Sequence, residues 1–116
     1  MFSSINATNK QLIDQLLKEG TIKSSKVYET LLSIDRKHFV PQPPYYNDSP
    51  STIGYGATIS APHMHAFALE FLEKNLLTAK KILDVGSGTG ILTVGMALMA
   101  PKDAKVYGIE HVPQLV

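Results

Sequence analysis

The sequence contains no cysteine, which excludes a disulfide framework, a thiolate zinc site and a cysteine nucleophile, and is compatible with a reducing cytosol. A strong charge of either sign is also lacking: 11 Lys and Arg against 10 Asp and Glu leave a formal net charge of +1. The basic residues are scattered, with Arg36-Lys37 and Lys80-Lys81 the only adjacent pairs, so no basic stripe marks a nucleic-acid surface. Long apolar runs are missing too. The longest, Ile91 to Ala100, has ten residues, too few to span a bilayer. Met1 to Lys10 is polar and holds no apolar core of a secretory signal. The expectation is a cytoplasmic protein that engages neither nucleic acid nor membrane.

What is present fits one globular domain: 116 residues, 44% of them hydrophobic and 18% charged, outside the range of disordered chains. Leu12, Ile13, Leu16 and Leu17 recur at helical spacing, predicting a helix over 9–19 that Thr8 or Asn9 caps and Gly20 ends. Val27, Leu31 and Ile34, with Tyr28 and Leu32 beside them, predict a second helix over 25–36. From His38 to Ser60 the pattern breaks at Pro41, Pro43, Pro44 and Pro50, and this stretch reads as a long functional loop. A third helix is expected over 61–76, with Pro62 in its first turn and Met64, Phe67, Ala68, Phe71 and Leu72 as its apolar side. Residues 81–85 and 105–109 read as strands around a buried helix over 90–99. That strand–helix–strand order is a βαβ unit with two parallel strands. A further helix is expected to open near Val112.

The most informative stretch is Asp84-Val85-Gly86-Ser87-Gly88-Thr89-Gly90, between strand and helix. Its glycines let a ligand approach the main chain where a Cβ would stand in the way. Glu110, twenty residues beyond Gly90, ends the second strand where nucleotide-binding βαβ units place a carboxylate for ribose hydroxyls. The spacing is G-x-G-x-G, not the G-x-G-x-x-G of NAD enzymes, and no phosphate-binding P-loop motif is present. Asp84 would repel a pyrophosphate, whereas the ammonium and sulfonium of S-adenosyl-L-methionine would be favoured beside it.

The second informative stretch is Thr58-Ile59-Ser60-Ala61-Pro62-His63-Met64-His65. Thr58 and Ser60 place hydroxyls near a helix start, where with free N–H groups they can hold a carboxylate. Ser60 can equally serve as the helix cap. His63 and His65 stand two apart on a helix without an acidic or thiol companion, so no metal site is expected. Tyr45, Tyr46 and Tyr55 either line a groove or pack the loop down.

On these two blocks, Ala57 to Ala66 and Leu83 to Gly90 followed by Gly108-Ile109-Glu110-His111, the sequence resembles the protein-L-isoaspartate (D-aspartate) O-methyltransferases along nearly its whole length. The first block is the specific one; the second is common among methyltransferases. The resemblance implies an α/β, Rossmann-like S-adenosyl-L-methionine-dependent methyltransferase fold with added N-terminal helices. It implies methyl transfer from that cofactor to the carboxylate of L-isoaspartyl residues in damaged proteins and peptides, through an ester that collapses to a succinimide and restores aspartate. Ser60 then corresponds to the catalytic-site serine, in a substrate loop with Thr58 and Ile59. His65 lies at the cofactor, Asp84, Gly86 and Gly88 match methionine-end contacts with Ser87 between them, and Glu110 and His111 match ribose and adenine contacts. Glu110 stands where many relatives have aspartate.

Members of that family run to about twice this length, so the sequence reads as a truncated, N-terminal half. Residues 1–78 would carry the N-terminal helices and substrate loop, and 79–116 the start of the cofactor-binding domain. The alternative expectation is a non-catalytic fragment or interaction module, since two parallel strands normally need further strands and cover on both faces.

Overall fold

The computed structural model describes residues 6–116; the start of the polar N-terminus, Met1 to Ile5, lies outside the described residues. Helix α1 spans Asn9–Lys18, with Thr8 accepting from the Gln11 N–H as its cap and Gly20, at φ +81°, letting the chain turn away. Leu12, Ile13 and Leu16 are buried. Asn9, the other candidate cap, is instead buried and turned inward: its amide donates to the Leu31 carbonyl at 3.1 Å and its Oδ1 accepts from the Arg36 N–H.

Helix α2, Ser25–Leu32, is capped by Ser24. Glu70 of the third helix accepts from the Lys23 and Ser24 N–H groups, both at 2.8 Å. The helix ends earlier than the expected residue 36. Ser33 bonds back to the Thr30 carbonyl and Asp35 accepts from the Lys37 N–H, side-chain bonds that compete with helix continuation. A 3-10 turn over Arg36–His38 follows.

The expected long loop contains a hairpin. Strands β1 (Ser51–Gly54) and β2 (Ala57–Ile59) pair antiparallel. Tyr55 and Gly56 between them have φ +57° and +73°, the two left-handed residues of a type I′ turn. The prolines stop before Ser51, and Ile53 and Ile59 turn inward onto Ile34, Val40 and Ile91. Tyr46 is buried, with Tyr45 edge-on at 5.9 Å, and its hydroxyl donates to Asp35 at 2.6 Å. These two pack the segment down, while Tyr55 is exposed at the hairpin tip.

Helix α3, Pro62–Leu77, has Ala61 as its cap position and no cap from its own neighbourhood. Ser60 is therefore not the N-cap. Asp48, fifteen residues away, accepts from the His63 N–H at 2.9 Å and from the same residue's ring at the same distance. The expected apolar side is also corrected: Phe67 and Phe71 are 60% and 75% exposed, Met64 is exposed with them, and His65, Ala66, Leu69 and Leu76 are the buried set. The helix carries apolar residues on two sides, and the smaller ones fit against α2 and the next helix. The two phenylalanines stack on each other at 6.1 Å.

Strands β3 (Lys81–Val85) and β4 (Lys105–Ile109) run parallel, with Lys81 opposite Lys105 and Val85 opposite Ile109. Helix α4, Ile91–Met99, crosses between them. It is buried along Ile91, Gly95, Met96 and Met99, while Val94 and Leu98 are exposed, so it is covered on one side only and not all round. Leu83, Val85, Tyr107 and Ile109 are exposed on the two-stranded sheet. The helix expected from Val112 is one 3-10 turn, Pro113–Leu115. Leu12, Leu16, Val27, Leu69, Ile82 and Met96 belong to one buried cluster that joins the N-terminal helices to the βαβ unit. No helix among the described residues is long and apolar enough to cross a membrane.

Leu69→Ala is expected to lower unfolding free energy by about 2–5 kcal/mol, whereas Phe71→Ser, on the exposed side, changes it by about 0.5 kcal/mol or less and reduces self-association of the chain. Urea titration and sedimentation velocity check both; equal losses of stability would overturn the assignment of the two faces.

Candidate functional site

A cavity of about 310 Å³ lies where β2, the start of α3 and the β3–α4 loop meet, at the small end of the range for ligand sites. Thr58, Ile59, Ser60, His65, Asp84, Gly86, Ser87 and Gly88 all line it, so eight of the ten expected site residues come together from two separate stretches. Ser60 follows the hairpin, and its carbonyl accepts from the Arg36 guanidinium at 2.9 Å. Because Asp48 supplies the α3 cap, the Ser60 side chain is not spent on the helix start.

His65 enters the cavity wall from the first turn of α3 and is 9% exposed. Burial, and then the Arg36 cation, pull its pKa down to about 4, so the imidazole is neutral at neutral pH. Asp84 is the last residue but one of β3, and its Oδ2 accepts from the Thr93 hydroxyl at 2.7 Å. Thr93 stands in the first turn of α4, facing back to the strand before it. Sequence reading passed over this residue, whose position one turn into the helix after the glycines was its only signal.

The glycine loop is bonded chiefly to its own chain. The Gly86 and Ser87 N–H groups both donate to the Ile109 carbonyl, at 2.7 and 3.0 Å, and the Gly90 N–H to the Ser87 carbonyl at 2.9 Å. The Gly88 N–H donates to Glu110 Oε1 at 2.8 Å. Gly86, Gly88 and Gly90 all have positive φ, a backbone that glycine adopts without strain. A Cβ at Gly108 would stand 3.0 Å from the Ser87 side chain, so strand and loop touch only because that side chain is missing. With these donors consumed, the loop offers few N–H groups to a phosphate, unlike the turns that bind pyrophosphate.

Glu110 lines a second cavity of about 280 Å³ on the α4 side of the same loop, with Ser87, Gly88 and Gly108. Its Oε2 accepts from the Val112 N–H at 3.0 Å. Those two main-chain donors, Val112 and Gly88, hold its carboxyl below the usual range. His111 is not brought to either cavity lining: its side chain is 92% exposed, 3.4 Å from Glu110. Thr89 was also passed over. It borders both cavities, and its buried hydroxyl oxygen has no hydrogen-bond partner among the described residues.

A family model described as protein-L-isoaspartate(D-aspartate) O-methyltransferase matches residues 7–116. The chain belongs to this family. Among curated isoaspartate methyltransferases, that of Caenorhabditis elegans is 50% identical over 97% of this chain and 50% of its own length. Protein-L-isoaspartate O-methyltransferase 1 of Arabidopsis thaliana is 46% identical over 98% and 50%. The chain thus spans about half the length of the curated relatives it matches. A crystal structure of a Plasmodium falciparum protein of this family in complex with S-adenosyl-L-homocysteine superposes with TM-score 0.88 at 41% identity, covering 96% of this chain and 52% of that one. A more distant isoaspartate methyltransferase, 23% identical, gives TM-score 0.74. The α/β fold is the Rossmann-like methyltransferase fold over its N-terminal half, with the helical extension in front.

Stability should fall with acid in the window set by His65. Its folded value of about 4 lies below the ordinary 6.5, so below pH 6.5 the unfolded chain takes up the proton first. Up to about 3 kcal/mol is then lost by pH 4. His65→Gln removes that slope, as urea titrations at a series of pH values would show; parallel profiles for the two proteins would contradict the burial argument. Glu110 has the same sign in a more acidic window: its contribution is present above the usual glutamate range and is lost as pH falls through its lowered value. The Gly88 amide resonance should therefore titrate with a midpoint below that of an ordinary glutamate. A midpoint at the ordinary value would place the Glu110 carboxylate away from the loop.

Proposed function

We propose that this chain supplies the substrate loop and the cofactor loop of an enzyme that transfers a methyl group from S-adenosyl-L-methionine to the carboxylate of L-isoaspartyl residues, a protein-repair reaction. The observation that carries this reading is the shared cavity: Thr58 and Ser60 on one wall and Asp84 with the glycine loop on the other. Family membership supports it, as does the relative that holds S-adenosyl-L-homocysteine.

The residues suit such a cofactor. Asp84 favours a cation, and a loop whose N–H groups are already bonded gives little to a phosphate. Glu110, fixed by two main-chain donors, keeps lone pairs for hydroxyl groups. The unpartnered Thr89 hydroxyl borders both cavities and is placed to bond a polar ligand. In this reading His65, Asp84, Gly86, Ser87 and Gly88 face the cofactor, with Glu110 and the neighbouring, exposed His111 toward its nucleoside end. Residues 1–78 provide the substrate side and 79–116 the cofactor side.

When bound, the cofactor supplies a methyl group on a sulfonium. The substrate carboxylate, with a reference pKa near 4, is already ionised and nucleophilic at neutral pH. The chain needs no general base for this reaction. Ser60 donates one hydrogen bond to the carboxylate, Thr58 and Ile59 flank it, and neutral His65 places no repelling charge beside the cationic ligand. What remains is alignment, which fixed positioning provides. The partners are isoaspartyl-containing proteins and peptides, not nucleic acid or a membrane, in a cytoplasmic setting that cell fractionation would check.

A second reading, a non-catalytic module when the chain stands alone, is favoured by the exposed Leu83, Val85 and Ile109, which leave one face of the sheet bare. Two assays separate the readings. At the length of its relatives, the protein is expected to methylate an isoaspartyl peptide and to ignore the matched aspartyl peptide, and the 116-residue chain to turn over little or not at all. Equal methyl incorporation into both peptides would sink the specificity claim. Asp84→Asn should weaken S-adenosyl-L-methionine binding by about 1–3 kcal/mol, the scale of a lost charged hydrogen bond, and Glu110→Ala should weaken it too. Calorimetry showing unchanged affinity in both variants would reject the cofactor assignment.

A further inference from the structure

Arg36 is buried to 3% exposure, an unusual setting for an always-charged side chain. No carboxylate lies within ion-pair distance of it among the described residues; the four such contacts involve Lys10, Lys37, His63 and His111. Of its five donors, the guanidinium spends one on the Ser60 carbonyl at 2.9 Å. Asn9 holds the Arg36 main chain, and Asn9 is itself anchored to the Leu31 carbonyl. The tie from α1 through the 3-10 turn to Ser60 is thus made of directional bonds, the two at Asn9 buried and the last partly so. Arg36 and His65 also border the same small gap beside Pro62. Asp48, beyond ion-pair distance, is the carboxylate whose charge acts on it; a buried cation so loosely paired costs stability, and an apolar side chain of similar volume would serve the core as well or better. Its position behind Ser60 gives the charge a use.

We propose that Arg36 fixes the position of Ser60 through the Ser60 carbonyl and gives that wall of the cavity its positive potential, so that the wall accepts an anion while Asp84 opposite accepts a cation. Arg36 is on this account a positioning and specificity residue that does not touch the reacting atoms. The cavity has two poles. The cation behind Ser60 and the carboxylate of Asp84 orient a carboxylate substrate and a cationic methyl donor toward each other. The cation also works against protonation of His65, in the direction its lowered pKa takes. The role rests on the proposed function only in taking Ser60 as the substrate side.

The test compares Arg36→Gln, which removes the charge, with Arg36→Lys, which keeps it. In the presence of S-adenosyl-L-homocysteine, Arg36→Gln should bind an isoaspartyl peptide at least about tenfold more weakly, and bind the same peptide with a carboxamide for the carboxylate as the wild type does. Arg36→Lys should stay within about threefold for the carboxylate peptide. S-adenosyl-L-homocysteine affinity should be unchanged in both. The His65 ring, followed by NMR, should titrate higher in Arg36→Gln and not in Arg36→Lys, and amide exchange across residues 57–61 should accelerate in Arg36→Gln. Equal losses for the carboxylate and carboxamide peptides, or a tenfold loss in a folded Arg36→Lys, overturn the proposal. If Arg36→Gln does not fold, the Arg36→Lys result decides. If the wild-type protein, at the length of its relatives, binds no isoaspartyl peptide, the functional reading fails by itself. The Arg36 role is then judged by the His65 titration and the exchange of 57–61, and no change in either rejects it.

Discussion

Leu69 of α3 meets Gly95 of α4 so closely that a Cβ on the glycine would stand 3.3 Å from a Leu69 methyl. Leu69 is fully buried there, in the same cluster as Met96 and Leu12. This contact sets the distance between two helices whose leading loops carry all the chemistry. Ser60 precedes α3 and the glycine loop precedes α4, so helices packed side by side bring both loops to one cavity. A side chain at Gly95 would press on the Leu69 methyl, which would have to give by some tenths of an ångström; the bare glycine lets the two helices, and the walls they carry, come this close.

The half of the site that was legible in the sequence is the half built locally. A strand, three glycines and a helix follow one another within nineteen residues, and each obeys its own short-range rule. The structure places Lys81–Val85, Ile91–Met99 and Lys105–Ile109 where those rules put them. The hairpin over 51–59 was hidden because four prolines upstream dominate the pattern and its turn uses Tyr55, an uncommon residue at positive φ. The exposed side of α3 was misread because the helix is apolar on two sides, and periodicity cannot choose between them. Asp48, Thr93 and Arg36 were illegible for a common reason. Each acts across the fold, through a bond to a residue nine to 24 positions away, and no local spacing announces such a partner.

The β4 strand has a part beyond pairing with β3. The Ile109 carbonyl takes two N–H groups of the glycine loop and Glu110 takes a third, so the loop is fastened to the end of the strand that follows it. A loop of three positive-φ glycines would otherwise sample many conformations. Here those glycines provide closeness, while the strand end provides rigidity. The arrangement also explains why Gly108 is needed one residue before: Ser87 lies directly over it.

Asp48 gives the site a history as well as a shape. The bond that completes the first turn of α3 comes from a segment fifteen residues upstream, which is itself packed by Tyr46 onto Asp35. A helix capped by its own neighbour can form its first turn as soon as its residues align. This one gains its cap only after the tyrosine-bearing segment has folded back. Ser60 and His65 flank that turn, so this part of the cavity wall leans on a stretch of chain that does not itself border the cavity.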